Sequence, residues 1–551
     1  MLTTSAPIKT IKIQSSLIKI LMGILLIVSM IPGYILIKYG VHFGDEPYQI
    51  LNTMDYYNSP LSPLTSFFCG IFGTIVDFKW ITFRYLALTL SNLAIISSGL
   101  YLYYESRKLT FSIIATCAVI FISGLYRTIP NLFGWDSTTL FFIVLTLITL
   151  LCYIKHPTAL ILGLLAILSA VTGLVRIPNI IIIPIVAFVM IWKSPREGLL
   201  EKIKDKNLLV YICLSLAVIC VILVALYGSL SNYIRLVHAN QLSAHPFIGI
   251  ICAYMISASK IIFIILALFS IFSIMNYFVL DGKPRSIGGL GVIAGLSFLI
   301  FISLFFNQSF TSNLNFPIEC ILSALVYVLY KERNNLHGSI ATQAISMILL
   351  GCIGAVGSNT GLVKFVSWAL IPITLGLLLK YLSSRVISLY ALVFGVPLVV
   401  TLMLYSRVEA FAESGLRDTT FKIESGKAAG LYTTAERKQI IDDVNNCMSS
   451  LPKDCALEVL GESTSRFGYE YLFGSRGEYA MHEWSDLPLF DDEGYLSWVQ
   501  SKLDNTRDDI TCIYIKRVDN ANSRTKSLLE SQLNLIHDTK TFSVFSTIKA
   551  K

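Results

Sequence analysis

The sequence predicts an all-α polytopic membrane domain of about 13 transmembrane helices, followed by a small C-terminal α/β domain. Three observations predict it. First, 54% of the 551 residues are hydrophobic, only 14% are charged, and the mean hydropathy is +0.68. A soluble domain carries about 25% charged residues, and a disordered chain needs low hydrophobicity, so both classes are excluded. Second, apolar runs of bilayer length recur as far as residue 405. Third, the composition changes there. Residues 1–405 hold 25 Lys and Arg against 12 Asp and Glu, whereas residues 406–551 hold 18 against 23. The division is therefore a membrane domain over 1–405 and a water-soluble domain over 406–551.

The apolar runs place spans near 17–38, 81–104, 109–127, 137–154, 157–174, 177–192, 207–228, 247–276, 287–306, 316–330, 340–357, 361–380 and 386–405. Around Arg176-Ile177-Pro178-Asn179 the chain is either one kinked helix or two, and 36 residues is too long for one crossing. With a cytoplasmic N-terminus, 17 of the 25 cations fall on the cytoplasmic side, as the positive-inside rule requires. An odd span number then places the tail outside, in the periplasm of a bacterial inner membrane. The first run lacks a small-residue cleavage site and reads as a retained anchor. No basic stripe with interleaved aromatics occurs, so no nucleic-acid partner is expected.

The first external loop, 39–80, carries Asp45-Glu46-Pro47-Tyr48, a helical stretch to Tyr57, Pro60-Leu61-Ser62-Pro63-Leu64, and an amphipathic or re-entrant stretch at 64–76. The second contains Gly134-Trp135-Asp136-Ser137. Others lie at 229–246, with Arg235, His238 and His245, and at 307–315. In the tail, Thr433 or Thr434 caps a helix running to about residue 450, with Glu436 near its start. Ala456–Leu460 and Ile510–Ile515 read as strands. Cys447 and Cys455 flank a short Pro-containing segment; they are either two separate thiols or a local disulfide.

Asp45 and Glu46 have two readings. Asp45 followed by Pro47 is a good helix start; a carboxylate here can also act as a general base or hold a cation that carries phosphate. Asp136, the only acid of the second external loop, either caps its span or takes part in chemistry, since a desolvated carboxylate is costly unless used. Arg176 stands at a helix break, where a guanidinium either binds phosphate or snorkels to the interface. Lys79, Arg84, Arg127 and Arg235 are similar candidates. His238 and His245 are metal ligands, bases or neither. Tyr48, Tyr56 and Tyr57 belong to an aromatic belt or a sugar-stacking surface. Signatures of soluble hydrolases, metalloproteases, P-loop enzymes and dinucleotide-binding folds are absent, Gly461-Glu462-Ser463 being only a fragment of a nucleophile elbow.

Together these features resemble the GT-C superfamily of polytopic glycosyltransferases, in particular the bacterial lipid A aminoarabinose transferases and the related protein O-mannosyltransferases. The resemblance rests on Asp45-Glu46 after the first span with Tyr48 just beyond, on Pro60-Leu61-Ser62-Pro63-Leu64, on Asp136, and on many spans ending in an external α/β tail. It implies a polyprenyl-phosphate sugar donor in the membrane and an envelope acceptor, which is a lipid, a glycan or a protein. It also implies catalytic roles for Asp45 and Asp136, and substrate contacts by Glu46, Tyr48, Arg176, Lys79 and Arg84. If a divalent cation takes part, Asp45 and Asp136 are its ligands; no other cofactor is implied. Many bacterial relatives carry a Lys before paired prolines; here the segment is Tyr57-Asn58-Ser59-Pro60, so the phosphate contact passes to Arg176, Lys79 or Arg84. The competing readings are a transporter or flippase, or a polymerase or ligase, of lipid-linked envelope polysaccharide. A transporter would place charges near mid-bilayer or show repeated halves, and neither is evident.

Overall fold

The computed structural model describes residues 7–54, 59–125, 134–194, 198–239, 252, 255, 279–280, 283–284, 315–356, 368–382, 387, 395–403, 409–410, 413–414, 416–451, 456–461, 466–474, 493–505, 510–516 and 524–547. The expected spans 247–276 and 287–306, the loop 307–315, Tyr56, Tyr57, Arg127, His245, Cys455 and residues 462–463 lie essentially outside them.

The chain is mostly helical. Helix α1 spans Pro7–Leu36, α2 Asp45–Met54, α3 Pro63–Ile75, α4 Trp80–Ser106, α5 Leu109–Leu125, α6 Trp135–Lys155 and α7 Ala159–Val175. A 3-10 turn, Ile177–Ile181, leads into α8, Ile182–Lys193. Then come α9 (Leu199–Ile203), α10 (Lys206–Tyr227), α11 (Leu230–Ala239), α12 (Asn315–Lys331), α13 (Ser339–Gly351), the 3-10 turn Ile353–Ala355 and α14 (Ile371–Leu378). Among the described residues four helical stretches are long and apolar enough to cross a membrane: Lys19–Leu36, Trp80–Ser106, Trp135–Lys155 and Lys206–Tyr227. Their outward surface is apolar. Ile20, Leu21, Ile24, Ile27 and Ile31 on α1 and Leu209, Leu216 and Val221 on α10 are all exposed, which suits contact with lipid rather than water. The protein is a multi-pass membrane protein on these grounds.

Helices α1 and α4 run antiparallel, as do α8 and α13, whereas α4 and α6 run parallel. Arg84 at the start of α4 reaches the end of α1, and Glu105 at the end of α4 reaches Lys155 at the end of α6. Trp192 at the end of α8 stacks on His337 before α13, ring centroids 4.5 Å apart, while Arg176 before α8 reaches Gly354 after α13. The Arg176–Asn179 segment therefore separates two helices, and Pro178 sits in the 3-10 turn where its missing N–H costs least. Gly33 and Gly124 let α1 and α5 approach backbone to backbone. The core between helices is a single cluster built largely of Leu, Ile and Val from α4 through α14.

The tail contains α15 (Ala435–Ser450), β1 (Ala456–Gly461), α16 (Arg466–Phe473), α17 (Glu493–Asn505), β2 (Ile510–Ile515), α18 (Arg524–Gln532), β3 (Asn534–Asp538) and β4 (Phe542–Ser546). The sheet order is β1-β2-β4-β3; β1 and β2 run parallel, and the other pairs are antiparallel. The central strands β2 and β4 are buried along their whole length. Thr434 caps α15 by accepting from the Arg437 amide. Cys447 is buried on α15.

This tail does not keep its core to itself. Val41, Phe43, Ile50, Leu51, Trp80 and Phe83 from the first loop and α4 form one cluster with Ile423, Leu431, Ile441, Tyr469, Tyr471 and Phe542 from the tail. Two backbone hydrogen bonds of 2.8 Å seal the junction, Gly40 N to Tyr432 O and Tyr432 N to Lys38 O. The tail thus packs on the end of the bundle where α1 finishes and α4 begins.

Candidate active site

The site is built at that end. Helix α2 begins with Asp45, and Gly44 supplies the carbonyl for the first helical bond, from Tyr48 N at 3.2 Å. Gly44, not Asp45, thus occupies the capping position. Pro47 lies in the first turn, where an amide has no intrahelical partner. Of Asp45 only the helical position is described.

Glu46 lies deep in the protein. Its carboxylate accepts from Arg84 Nε at 2.9 Å and from Trp80 Nε1 at 3.1 Å, and it pairs with Arg84 Nη2 at 2.5 Å. Arg84 Nη1 also donates to the carbonyls of Ile37 and Gly40, both at 2.9 Å. Arg84 is 1% exposed and Glu46 3%. Two full charges at that depth persist because each neutralises the other and the fork of the guanidinium is filled. Arg84 and Glu46, candidates for substrate contact, lock α4, α2 and the end of α1 together with their side chains. A substrate contact by either would require that buried pair to open.

Asp136 lies in the first turn of α6, after Gly134. Gly134 N donates to Ser137 Oγ at 3.2 Å, which closes the turn. Helix α2 packs against this turn. Tyr48 meets Trp135 edge to face at 5.8 Å, and a Cβ on Gly134 would collide with Gln49 Oε1. The segments that carry Asp45 and Asp136 are therefore neighbours.

A hydrogen-bonded floor lies beside them. Thr65 on α3 meets Thr138 Oγ1 at 2.7 Å and donates to Val175 O at 2.9 Å. Asn179 Nδ2 donates to Thr139 Oγ1 at 2.9 Å, and Ile177 N to Leu61 O at 2.9 Å. Asn179 is fully buried, and its Oδ1 has no hydrogen-bond partner among the described residues. Tyr227 and Tyr233 hydroxyls donate to Ser59 O and Pro60 O at 3.4 and 3.3 Å. Burial pushes the Tyr233 phenol up to about 12, so it stays a donor at neutral pH. The proline segment is thus held from both sides.

Arg176, extended between α7 and the 3-10 turn, sits at this same end and donates to Gly354 O at 3.4 Å. Lys79 is exposed and immediately precedes α4. Before it, Asp77 and Phe78 both have left-handed backbones, φ 54° and 47°, a strained pair for side-chain-bearing residues. The tail secures this turn: Tyr471 Oη donates to Phe78 O at 2.6 Å and to Lys427 O at 3.2 Å. Burial pushes the Tyr471 phenol well up, which keeps its proton in place. Arg437 donates to Val41 O and lies over the Phe43 ring. Arg235 and His238 lie on the exposed side of α11, Arg235 bonded to Asn232.

Sequence reasoning missed Trp80, Trp135, Gln49, Thr65 and Tyr471. The closeness of Gly134 to Trp135 and Asp136 was the one local signal available; the other contacts join residues far apart in sequence. Among the described residues no three His, Cys, Asp or Glu side chains gather as a metal site. Asp45 and Asp136 offer two carboxylates, four oxygens at most, so a hard cation there would need phosphate or water to complete its shell.

No protein-family model and no curated protein matches the sequence. Solved structures do. An oligosaccharyltransferase from Archaeoglobus fulgidus, crystallised with zinc and sulfate, shares 14% identity over 89% of this chain and 68% of its own, with a TM-score of 0.48. The archaeal oligosaccharyltransferase AglB from the same organism, with an inhibitory peptide and a dolichol-phosphate, shares 13% over 90% and 69%, at 0.47. ArnT from Cupriavidus metallidurans shares 12% over 97% and 98%, at 0.40. At such distances the activity of this chain must be argued from its own residues.

Proposed function

We propose that the protein is a membrane glycosyltransferase of the GT-C type. It moves a hexosyl or pentosyl group from a polyprenyl-phosphate donor to an envelope acceptor, at the membrane face where the tail sits. In this reading the chain crosses a bacterial inner membrane about 13 times, with the N-terminus cytoplasmic and residues 406–551 periplasmic. The observation that carries the proposal is the side-by-side packing of the α2 and α6 N-terminal turns, with Asp45 on one and Asp136 on the other.

The chemistry follows from that pairing. Asp45 accepts the proton of the acceptor hydroxyl; its oxygen attacks the anomeric carbon as the bond from that carbon to the phosphate oxygen breaks. Polyprenyl phosphate departs with both electrons of that bond, and the anomeric centre inverts. Asp136 orients the acceptor, Tyr48 lines the sugar side, and Arg176 with Lys79 stabilises the charge growing on phosphate. A cation held by Asp45 and Asp136 would supply the same stabilisation. Mass spectrometry of glycolipids and envelope glycans from a deletion strain tests the proposal: a lost sugar on one acceptor class is expected. An unchanged profile would overturn it, and a lost sugar accompanied by lipid-linked donor trapped on the inner face would indicate a flippase instead.

A further inference from the structure

At the opposite end of the bundle, helices α4, α6 and α14 finish together. Glu105, 5% exposed, pairs with Lys155 and with Lys380, whose Nζ lies 3.6 Å away. Just beyond, Arg107 places its guanidinium 5.1 Å from the Tyr104 ring. Lys155 Nζ lies 5.9 Å from that ring, and the Tyr104 hydroxyl meets His156 Nε2 at 3.0 Å. Lys108 follows, exposed. Glu332, which accepts from the Tyr381 hydroxyl, faces Lys380 from the loop after α12. Lys155 and Lys380 are thus matched by Glu105 and Glu332, and Arg107 and Lys108 are the surplus. Toward the bundle the same surface becomes apolar: Leu100, Tyr103 and Leu109 are exposed.

Arg107 carries a further mark. It ends α4 in the left-handed conformation, φ 55°, with its amide bonded to Tyr103 O at 2.8 Å. Glycine is the unstrained residue for that position. A topology signal requires only a positive charge somewhere in the loop, whereas here a strained backbone holds a guanidinium against an aromatic ring beside two lysines. An exposed apolar strip that ends in a fixed cluster of cations matches one ligand shape, an acyl chain capped by a phosphodiester.

We propose that Arg107, Lys108, Lys155 and Lys380 bind the phosphate headgroup of an anionic phospholipid in the leaflet opposite the candidate active site. The test is native mass spectrometry of the detergent-purified full chain, titrated with phosphatidylglycerol or phosphatidylcholine. Phosphatidylglycerol should bind preferentially. Arg107→Gly should weaken it about fivefold, and the Arg107→Gly/Lys108→Ala double variant about 25-fold, the worth of one and two interfacial cations. Because glycine suits the left-handed position, Arg107→Gly should melt no lower than the parent, which separates lost binding from lost folding. Equal binding of the two lipids overturns the proposal. So does an equal loss in the control pair Lys204→Ala/Lys206→Ala, which would mean diffuse attraction to any basic loop. Full displacement by millimolar inorganic phosphate would make this a free-anion site and equally refute a lipid.

Discussion

Removing the Arg84 guanidinium should be among the single changes most damaging to stability. Its Nε and Nη2 bond Glu46, and Nη1 bonds the Ile37 and Gly40 carbonyls. In Arg84→Ala the Glu46 carboxylate stays buried with Trp80 Nε1 as its remaining described donor. Stranding one member of a buried pair costs about 3–5 kcal/mol, and each carbonyl left without a partner adds about 1–3 kcal/mol. Trp80→Phe, which removes one hydrogen bond to a charged acceptor, should cost only about 1.5–3 kcal/mol. The decisive arm is the double variant Arg84→Met/Glu46→Met. It exchanges the pair for apolar side chains and should recover the part of the loss that comes from the stranded charge, about 3–5 kcal/mol, while the Ile37 and Gly40 carbonyls and Trp80 Nε1 stay without these partners. The assay is thermal unfolding in detergent at fixed detergent and protein concentration, with limited proteolysis at the 37–46 corner. Arg84→Ala melting with the parent, or a double variant no better than the single, would refute the reasoning.

Other outcomes follow from the same structure. Asp136→Asn should reduce sugar transfer strongly with normal membrane insertion, read by transfer assay and membrane fractionation; an unchanged rate would confine Asp136 to shaping the α6 turn. Tyr471→Phe should cost about 1 kcal/mol by stranding the Phe78 carbonyl and should raise protease sensitivity between the tail and α4. Cys512 is pushed up to about 12 by burial, with Glu458 adding to the shift. In the folded protein Cys512 should therefore resist iodoacetamide at pH 8 and react once unfolded, read on its own peptide by mass spectrometry. Its buried neutral thiol favours folding below the free-thiol value of about 8.5, and that contribution declines as pH rises from there toward 12. Burial pushes the Asp538 carboxyl up, but hydrogen bonds from Lys516 and Ser543 and the charges of Lys516 and Lys526 outweigh it and lower the pKa. Its stabilisation is present above the free value of about 4 and is lost as pH falls through the lowered one. Asp538→Asn should therefore cost under about 1 kcal/mol near neutrality, and its melting curve should meet that of the parent in strong acid.

Much of this was legible locally. The apolar runs gave the helices, Pro63 opened α3, and Thr434 capped a helix that ends at Ser450. Ala456–Gly461 and Ile510–Ile515 form strands where β-branched and apolar runs predicted them. Asp45 and Asp136 stand in the first turns of α2 and α6, which pack on one another. What sequence hid was pairing over distance. Glu46 and Arg84 stand 38 residues apart, and nothing local distinguishes an arginine that will fill a buried fork from one that will face phosphate. The shared core of tail and first loop was equally hidden, since Phe43 meets Tyr469 and Trp80 meets Tyr471 across nearly the whole chain. Composition marked residue 405 as a boundary, but hydrophobic contact ignores it.

In the proposed reaction a carboxylate at the start of α2, that of Asp45, takes the acceptor proton. The measurement that tests it most directly is sugar transfer by Asp45→Asn, in reconstituted membranes with a polyprenyl-phosphate donor, at matched protein level and insertion. Transfer should fall to background while thermal unfolding stays at the parent value. Transfer retained at or near the parent rate would contradict the account.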